Sequence, residues 1–335
     1  MEFQEFLQEV KKEIEKRLDK EYSVSYNHVI KNNGIELDGL IIFKENVTVV
    51  PNIYVNEYYE LYKRRGDLNY IIDKIMAMYK VALTSDFANT LSIDYSFETM
   101  KEKIYYRIVN FEKNVKMLGE IPHKKFLDMA IIFYCLVDTQ SEGIASIRIT
   151  NDHIENWNIS SADLLDIAMN NTPRLFPGVI RSMKDVIKDL ILKNSIGSIL
   201  EGGDVIEDKL RENDNVYYFN KSDRLDEKAI DEMLTQLTYD KNCEMYVLTN
   251  SLGINGASAM LYNGLIEEFA NKTKSNLYIL PSSIHEVIIK PYQDEYDIDE
   301  LKNMVMEINA TQVPKGDVLS DSVYIYQRKE CALSL

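Results

Sequence analysis

Ser282, Ser283, His285 and Glu286 stand together in a chain of 335 residues, between two apolar runs. They are the residue types that hydrolytic chemistry uses: a hydroxyl nucleophile, a base for its proton, and a carboxylate to orient the base. Such a nucleophile also needs oxyanion donors. No Gly-x-Ser-x-Gly elbow surrounds these serines. The competing reading is a turn held by serine hydroxyls, with His285 a satisfied, half-buried side chain.

A second candidate lies upstream. The loop carrying Gly253, Asn255, Gly256 and Ser258 follows the apolar run Met245–Thr249 and precedes a helical pattern. Free N–H groups at such a helix start can hold an anion. The loop lacks the Lys-Ser/Thr of a P-loop and the third glycine of a dinucleotide fingerprint. A tight turn of small residues explains the same pattern. If the intervening helix is a right-handed crossover between parallel strands, Asn250–Asn255 and Ser282–Glu286 meet at one sheet edge, where ligands of open sheets bind.

Other chemistry is excluded or left without a motif. His285-Glu286 opens like a zinc protease motif, but the position needing the second histidine is Ile289, and the segment reads as extended. His28, His123 and His153 are scattered, so no metal site is expected, and no cofactor motif occurs. Asp128, inside the apolar stretch Phe126–Val137, needs a partner if buried, with His123, Lys124 or Arg107 as candidates. Tyr54, Tyr58, Tyr59 and Tyr62 cluster near one helix, as a core edge or as recognition anchors.

The elements that would position these residues follow from periodicity. Phe3, Phe6, Leu7, Val10 and Ile14 mark an amphipathic helix. Tyr22–Lys31 and Ile35–Glu45 read as a hairpin about Asn33-Gly34. Asn56 and Asp67 read as caps of two helices, the first ending at Gly66. Strands are expected at Ile104–Asn110, Phe126–Val137, Gly143–Thr150, Val216–Phe219 and Val323–Tyr326. Helices are expected from Ser160 or Ser161 to Met169, over Val179–Ile191, over Asp226–Leu237, and after an Asp297/Glu300 capping box with Leu301, Met304, Val305 and Ile308 inward. Ile196–Asn215 reads as a loop or β-excursion. The class is α+β (mixed α/β): an N-terminal helix-hairpin-helix region, residues 1–95, then a larger mixed sheet with flanking helices, residues 96–335.

Composition narrows the function. Hydrophobic residues make up 45% and charged residues 27%, so most of the chain can bury a core. The net charge of −16 argues against direct nucleic-acid binding, which needs a basic face. Cys135, Cys243 and Cys331 are odd in number and widely spaced, which fits a reducing cytoplasm better than a disulfide framework. The opening MEFQEFLQEV resembles no signal peptide, and the longest apolar run, Met129–Val137, is too short for a membrane span.

The phrases PNIYVNEYYELYKRRG, YYRIVNFEKN, IPHKKFLDMAIIFY, ASIRITNDHIENW, NTPRLFP, ILPSSIHEVIIKP and LSDSVYIYQR form a set. Together they resemble an uncharacterised bacterial family, a domain of unknown function common in gut Firmicutes, over most of the chain. The resemblance implies a cytoplasmic bacterial protein with an association to mobile-element genes; it brings no activity, cofactor or site residue. Three functions remain in view. One is a non-catalytic binding or accessory protein with a protein or small-ligand partner. Another is a small-molecule hydrolase using Ser282–Glu286. The third is an acidic decoy of a DNA-binding protein.

Overall fold

The opening helix α1 (Phe3–Arg17) buries Phe6, Leu7, Val10 and Ile14, the stripe its spacing predicts. The computed structural model describes residues 1–44, 51–84, 94–140, 143–200, 244–292 and 297–335. Strands β1 (Tyr22–Ile30) and β2 (Glu36–Lys44) pair antiparallel, and β3 (Asn52–Tyr54) adds to β2. At the hairpin tip Asn33 has φ 58 and Gly34 φ 68, the left-handed region these two types enter most easily.

Asn56 does not cap the next helix. Val55 holds that position before α2 (Asn56–Arg65), and Asn56 Oδ1 accepts the Asp38 N–H at 2.9 Å. A donor on the neighbouring strand outcompetes those of the helix itself. Gly66 at φ 71 ends α2, and Asp67 caps α3 (Leu68–Thr84) by accepting from Tyr70 N–H. These elements share their own apolar core, centred on Phe6, Leu40, Ile42, Ile71 and Ile75. Tyr59 and Tyr62 pack on Phe6 at ring distances of 5.1 and 5.4 Å, as core edge.

The chain continues through α4 (Phe97–Met100), β4 (Ile104–Asn110), α5 (Val115–Leu118), β5 (His123–Phe126), β6 (Met129–Gln140) and β7 (Gly143–Arg148). The strand expected over Phe126–Val137 is present from Met129 as β6; its first residue, Phe126, ends β5, and a hairpin turn separates the two. Leu127 turns the chain at φ 55, and no glycine announces the turn. Strand β6 is long enough to pair with β4 on one edge and with β5 and then β7 on the other.

Helices α6 (Asn151–Trp157) and α7 (Ser161–Leu175) follow. Ser160 and Asp163 form a capping box, and α7 runs on past Met169. The helix expected over Val179–Ile191 begins later. Gly178–Ser182 is β8, an edge strand on β9, and α8 (Met183–Leu200) starts where Ser182 Oγ accepts the Asp185 N–H. Short apolar runs fit either period, and the sheet edge decided this one. Ile196–Leu200 is thus helical; the rest of the expected 196–215 loop, Val216–Phe219 and Asp226–Leu237 lie outside the described residues.

The last sheet is built from β9 (Tyr246–Asn250), β10 (Leu277–Leu280), β11 (Val287–Pro291), β12 (Tyr324–Gln327) and β13 (Ala332–Ser334), with β8. Its order is β13-β12-β10-β11-β9-β8. Helices α9 (Leu265–Thr273) and α10 (Ile298–Thr311) flank it in sequence. Asp297 caps the second by accepting from Asp299 N–H, without Glu300, and Met304 and Ile308 are exposed while Leu301 and Val305 are buried.

The protein is α+β. All strand pairings among the described residues are antiparallel, so two antiparallel sheets stand where one larger mixed sheet was expected. Both contribute to one core with Tyr106, Phe133, Leu164, Leu277, Ile289 and Tyr324. Among the described residues no helix is long and apolar enough to cross a membrane.

Candidate functional site

Strands β9 and β10 point the same way, because each is antiparallel to β11, which lies between them. The expected crossover therefore spans one inserted strand. The loops after β9 and β10 still emerge at one edge, and they touch. Asn255 N–H donates to His285 Nδ1 at 3.2 Å, Ala257 N–H to Ile284 O at 3.2 Å, and Thr249 Oγ1 to His285 O at 2.8 Å.

Gly256 makes this approach possible. A Cβ there would stand 2.1 Å from Thr249 Oγ1 and 2.6 Å from both Asn250 N and His285 O. Two of these are backbone atoms that cannot swing aside. The 3-10 helix Gly256–Leu261 begins here, with Asn255 at φ 52.

The convergence orients His285 and does not pair it with a serine. Nδ1 accepts from Asn255, which leaves the ring proton on Nε2, facing Asp317 Oδ1 at 3.8 Å. Ser283 is buried, and its Oγ accepts the His285 backbone N–H at 3.0 Å. Among the described residues no hydrogen bond joins the Ser282 or Ser283 hydroxyl to the imidazole. Glu286 is half-buried; burial raises its carboxyl above the ordinary range, while His285 and a bond with Ser283 pull it back.

The Gly253–Ser258 loop spends its donors on itself. Leu252 N–H bonds Asn250 Oδ1 at 3.0 Å, and Gly253 N–H bonds Asn250 O at 3.1 Å. Asn255 and Ala257 serve the other loop, and Ser258 N–H reaches Asn255 O at 3.4 Å. An anion would have to displace these bonds. Ser258 Oγ is buried without a partner among the described residues.

Asp128 lies in the β5–β6 turn and finds none of the partners expected for it. Ser320 Oγ donates at 2.6 Å and Ser322 Oγ at 3.0 Å, and Tyr324 OH also donates. Burial and then this carboxylate push the Tyr324 phenol far up, so it remains a donor. The cluster ties the two sheets together. Among the described residues no three His, Cys, Asp or Glu side chains gather as metal ligands.

Beside the joined loops opens a cleft of about 490 Å³. Its walls are the β1 end and tip of the first hairpin, strands β4, β6 and β7, and the segments holding Asn255, Ile284 and Asp317. Arg107 lines the cleft. The guanidinium lies 4.1 Å from the Tyr134 ring centroid, and its Nη2 donates to Tyr105 OH and to Ser146 Oγ, the latter at 3.0 Å. Its Nε is buried with no hydrogen-bond partner among the described residues. Arg148 also lines the cleft, and neither arginine makes an ion pair among the described residues.

The sequence points to Arg107 only as a partner for Asp128 and to Asn32 only as part of the hairpin turn, and it does not mark Arg148 or Asp317 as site residues. The signal in the sequence is an arginine midway along the otherwise uncharged strand Ile104–Asn110; in the structure its other six residues are all buried.

A core shared by helices and antiparallel sheets, with a cleft at its edge, defines an α+β protein. The chain belongs to the family of unknown function DUF5688, whose model matches residues 3–328. No curated protein and no solved structure matches it.

Proposed function

We propose that the chain is a non-catalytic binding protein for a small ligand, seated in the cleft between the first hairpin and the β4–β6–β7 face. The observation that carries this reading is the cleft itself. At about 490 Å³ it has the size of a small-molecule site. It lies where the hairpin tip of the region with the N-terminal core meets the larger core, a common place for ligands. The proposed division into residues 1–95 and 96–335 fits these two cores.

Hydrolysis at Ser282–Glu286 is the less supported reading, because the imidazole faces Asn255 and Asp317 rather than a hydroxyl. The acidic-decoy reading also lacks support: on α1, Lys11, Lys12 and Lys16 pair with Glu15, Glu9 and Glu13, so charges interleave there. A reducing bacterial cytoplasm is the assumed setting, consistent with free Cys135 and Cys331.

The test is a thermal-shift screen of a metabolite collection against the full chain and Ile284→Trp, which fills the cleft from a half-buried wall position. The expected result is a compound that stabilises the wild type and leaves the variant unmoved. Equal shifts in both proteins, or no stabilising compound, would overturn the reading.

A further inference from the structure

We infer that the ligand of this cleft is a small hydroxylated oxyanion, a sugar phosphate or a hydroxycarboxylate. The inference rests on the binding reading above and gives it a chemistry. Three cations, Lys31, Arg107 and Arg148, line the cleft against one carboxylate, Asp317. Such an excess is unexpected by chance in a chain of net charge −16. Asp317 is partly engaged already, with His285 Nε2 at 3.8 Å.

Arg107 is built to receive an anion. Tyr134 and Tyr105 hold the guanidinium in place, and Ser146 fixes Nη2. These neutral partners leave its charge uncompensated. A planar, permanently charged fork held rigid loses little freedom on binding and suits carboxylate or phosphate oxygens. Its Nε is buried and makes no hydrogen bond among the described residues, so no protein carboxylate neutralises the guanidinium from that side.

The hydroxyl requirement comes from other residues of the lining. Asn32 Nδ2 donates to Gly316 O at 2.6 Å, which sets the amide's orientation and leaves Oδ1 buried with no partner among the described residues. Asn32 lines the same cleft. The site thus offers the Arg107 charge to an oxyanion and the Asp317 carboxylate to a hydroxyl donor. A bare inorganic anion answers only the first; an oxyanion that also carries hydroxyl donors answers both.

The test uses the full chain with glucose 6-phosphate, gluconate, glucose and inorganic phosphate as probes. Phenylglyoxal modification of arginines is followed by peptide mapping. Glucose 6-phosphate or gluconate is expected to slow modification at Arg107 and Arg148 several-fold, with Arg64 and Arg181 unchanged. Whichever protects more tells phosphate from carboxylate. Inorganic phosphate is expected to protect less and glucose not at all. Arg148→Gln, a variant that spares the Tyr105–Arg107–Tyr134 packing, should weaken binding roughly tenfold or more, the loss of one charge-assisted hydrogen bond. Protection by glucose equal to that by the anions would overturn the oxyanion inference and leave the cleft reading standing. So would ligands of the thermal-shift screen that are all neutral. No protection by any probe, with no compound found in that screen, would sink both.

Discussion

Asn33 and Asn114 grip each other through two hydrogen bonds: Asn33 N–H donates to Asn114 Oδ1, and Asn114 Nδ2 returns to Asn33 Oδ1, each at 2.9 Å. Asn33 Nδ2 also donates to Val318 O at 2.7 Å and to Lys315 O at 2.9 Å. The hairpin tip is thereby latched onto the larger core beside the cleft, and Asn114 is buried.

Asn114→Ala should destabilise the protein by about 1–3 kcal/mol, because half-buried groups on Asn33 lose their partner. Asn33→Gly keeps the left-handed turn while removing the amide, and should cost a similar amount. In a double-mutant cycle the two losses should be clearly less than additive, read by chemical denaturation. Full additivity would show that the pair does not act as one latch.

Gly256→Ala should cost about 1–3 kcal/mol, since the new methyl meets backbone that cannot yield. Gly253→Ala is the control. Gly253 has φ 66 but open space around it, so only backbone strain, about 1–2 kcal/mol, is expected. The discriminating measurement is the His285 ring signal by NMR, which Gly256→Ala should move and Gly253→Ala should leave in place.

Glu286→Gln should stabilise the protein at neutral pH. Burial, opposed by His285 and the Ser283 bond and reinforced by Asp317, raises this carboxyl above its ordinary 4.5. The folded state therefore holds the proton more tightly than the unfolded chain. As pH climbs above 4.5 toward the folded value, the wild type loses stability that the glutamine variant keeps. Melting temperatures across about pH 4 to 8 should show a gap at the upper end that closes below 4.5. A gap that widens on acidification would contradict the assignment.

Asp128→Ala should cost roughly 2–3 kcal/mol, because two serine hydroxyls and a buried phenol lose a charged acceptor. Tyr324→Phe alone should cost less, and in the Asp128→Ala background very little. Urea unfolding of the four proteins measures the coupling.

Much of the local architecture was legible in order along the chain. The α1 stripe, the Asn33-Gly34 tip, the Gly66 stop and strand β4 each depend on residues within one or two turns of one another, where side-chain period and φ preference act directly. The β5–β6 turn was hidden because Leu127 enters the left-handed region without a residue type that favours it. Gly178–Ser182 was hidden because its pairing partner lies across a long stretch of sequence, on β9.

The meeting of the Asn255 and His285 loops was foreseeable from chain direction, since both follow strands that run the same way. What the meeting does was not. Whether His285 faces a serine, a backbone N–H or Asp317 depends on ångström-scale placement that residue types do not encode. The cleft lay further out of reach. Asn32, Arg107, Arg148 and Asp317 come from four separate stretches of chain, and only the packing of the hairpin tip against two sheets makes them neighbours. The sequence by itself determined the α1 stripe, the Asn33-Gly34 tip and the Gly66 stop, because these arise from neighbours along the chain. The tertiary structure alone decided which charges lack partners, because pairing is a matter of distance in space.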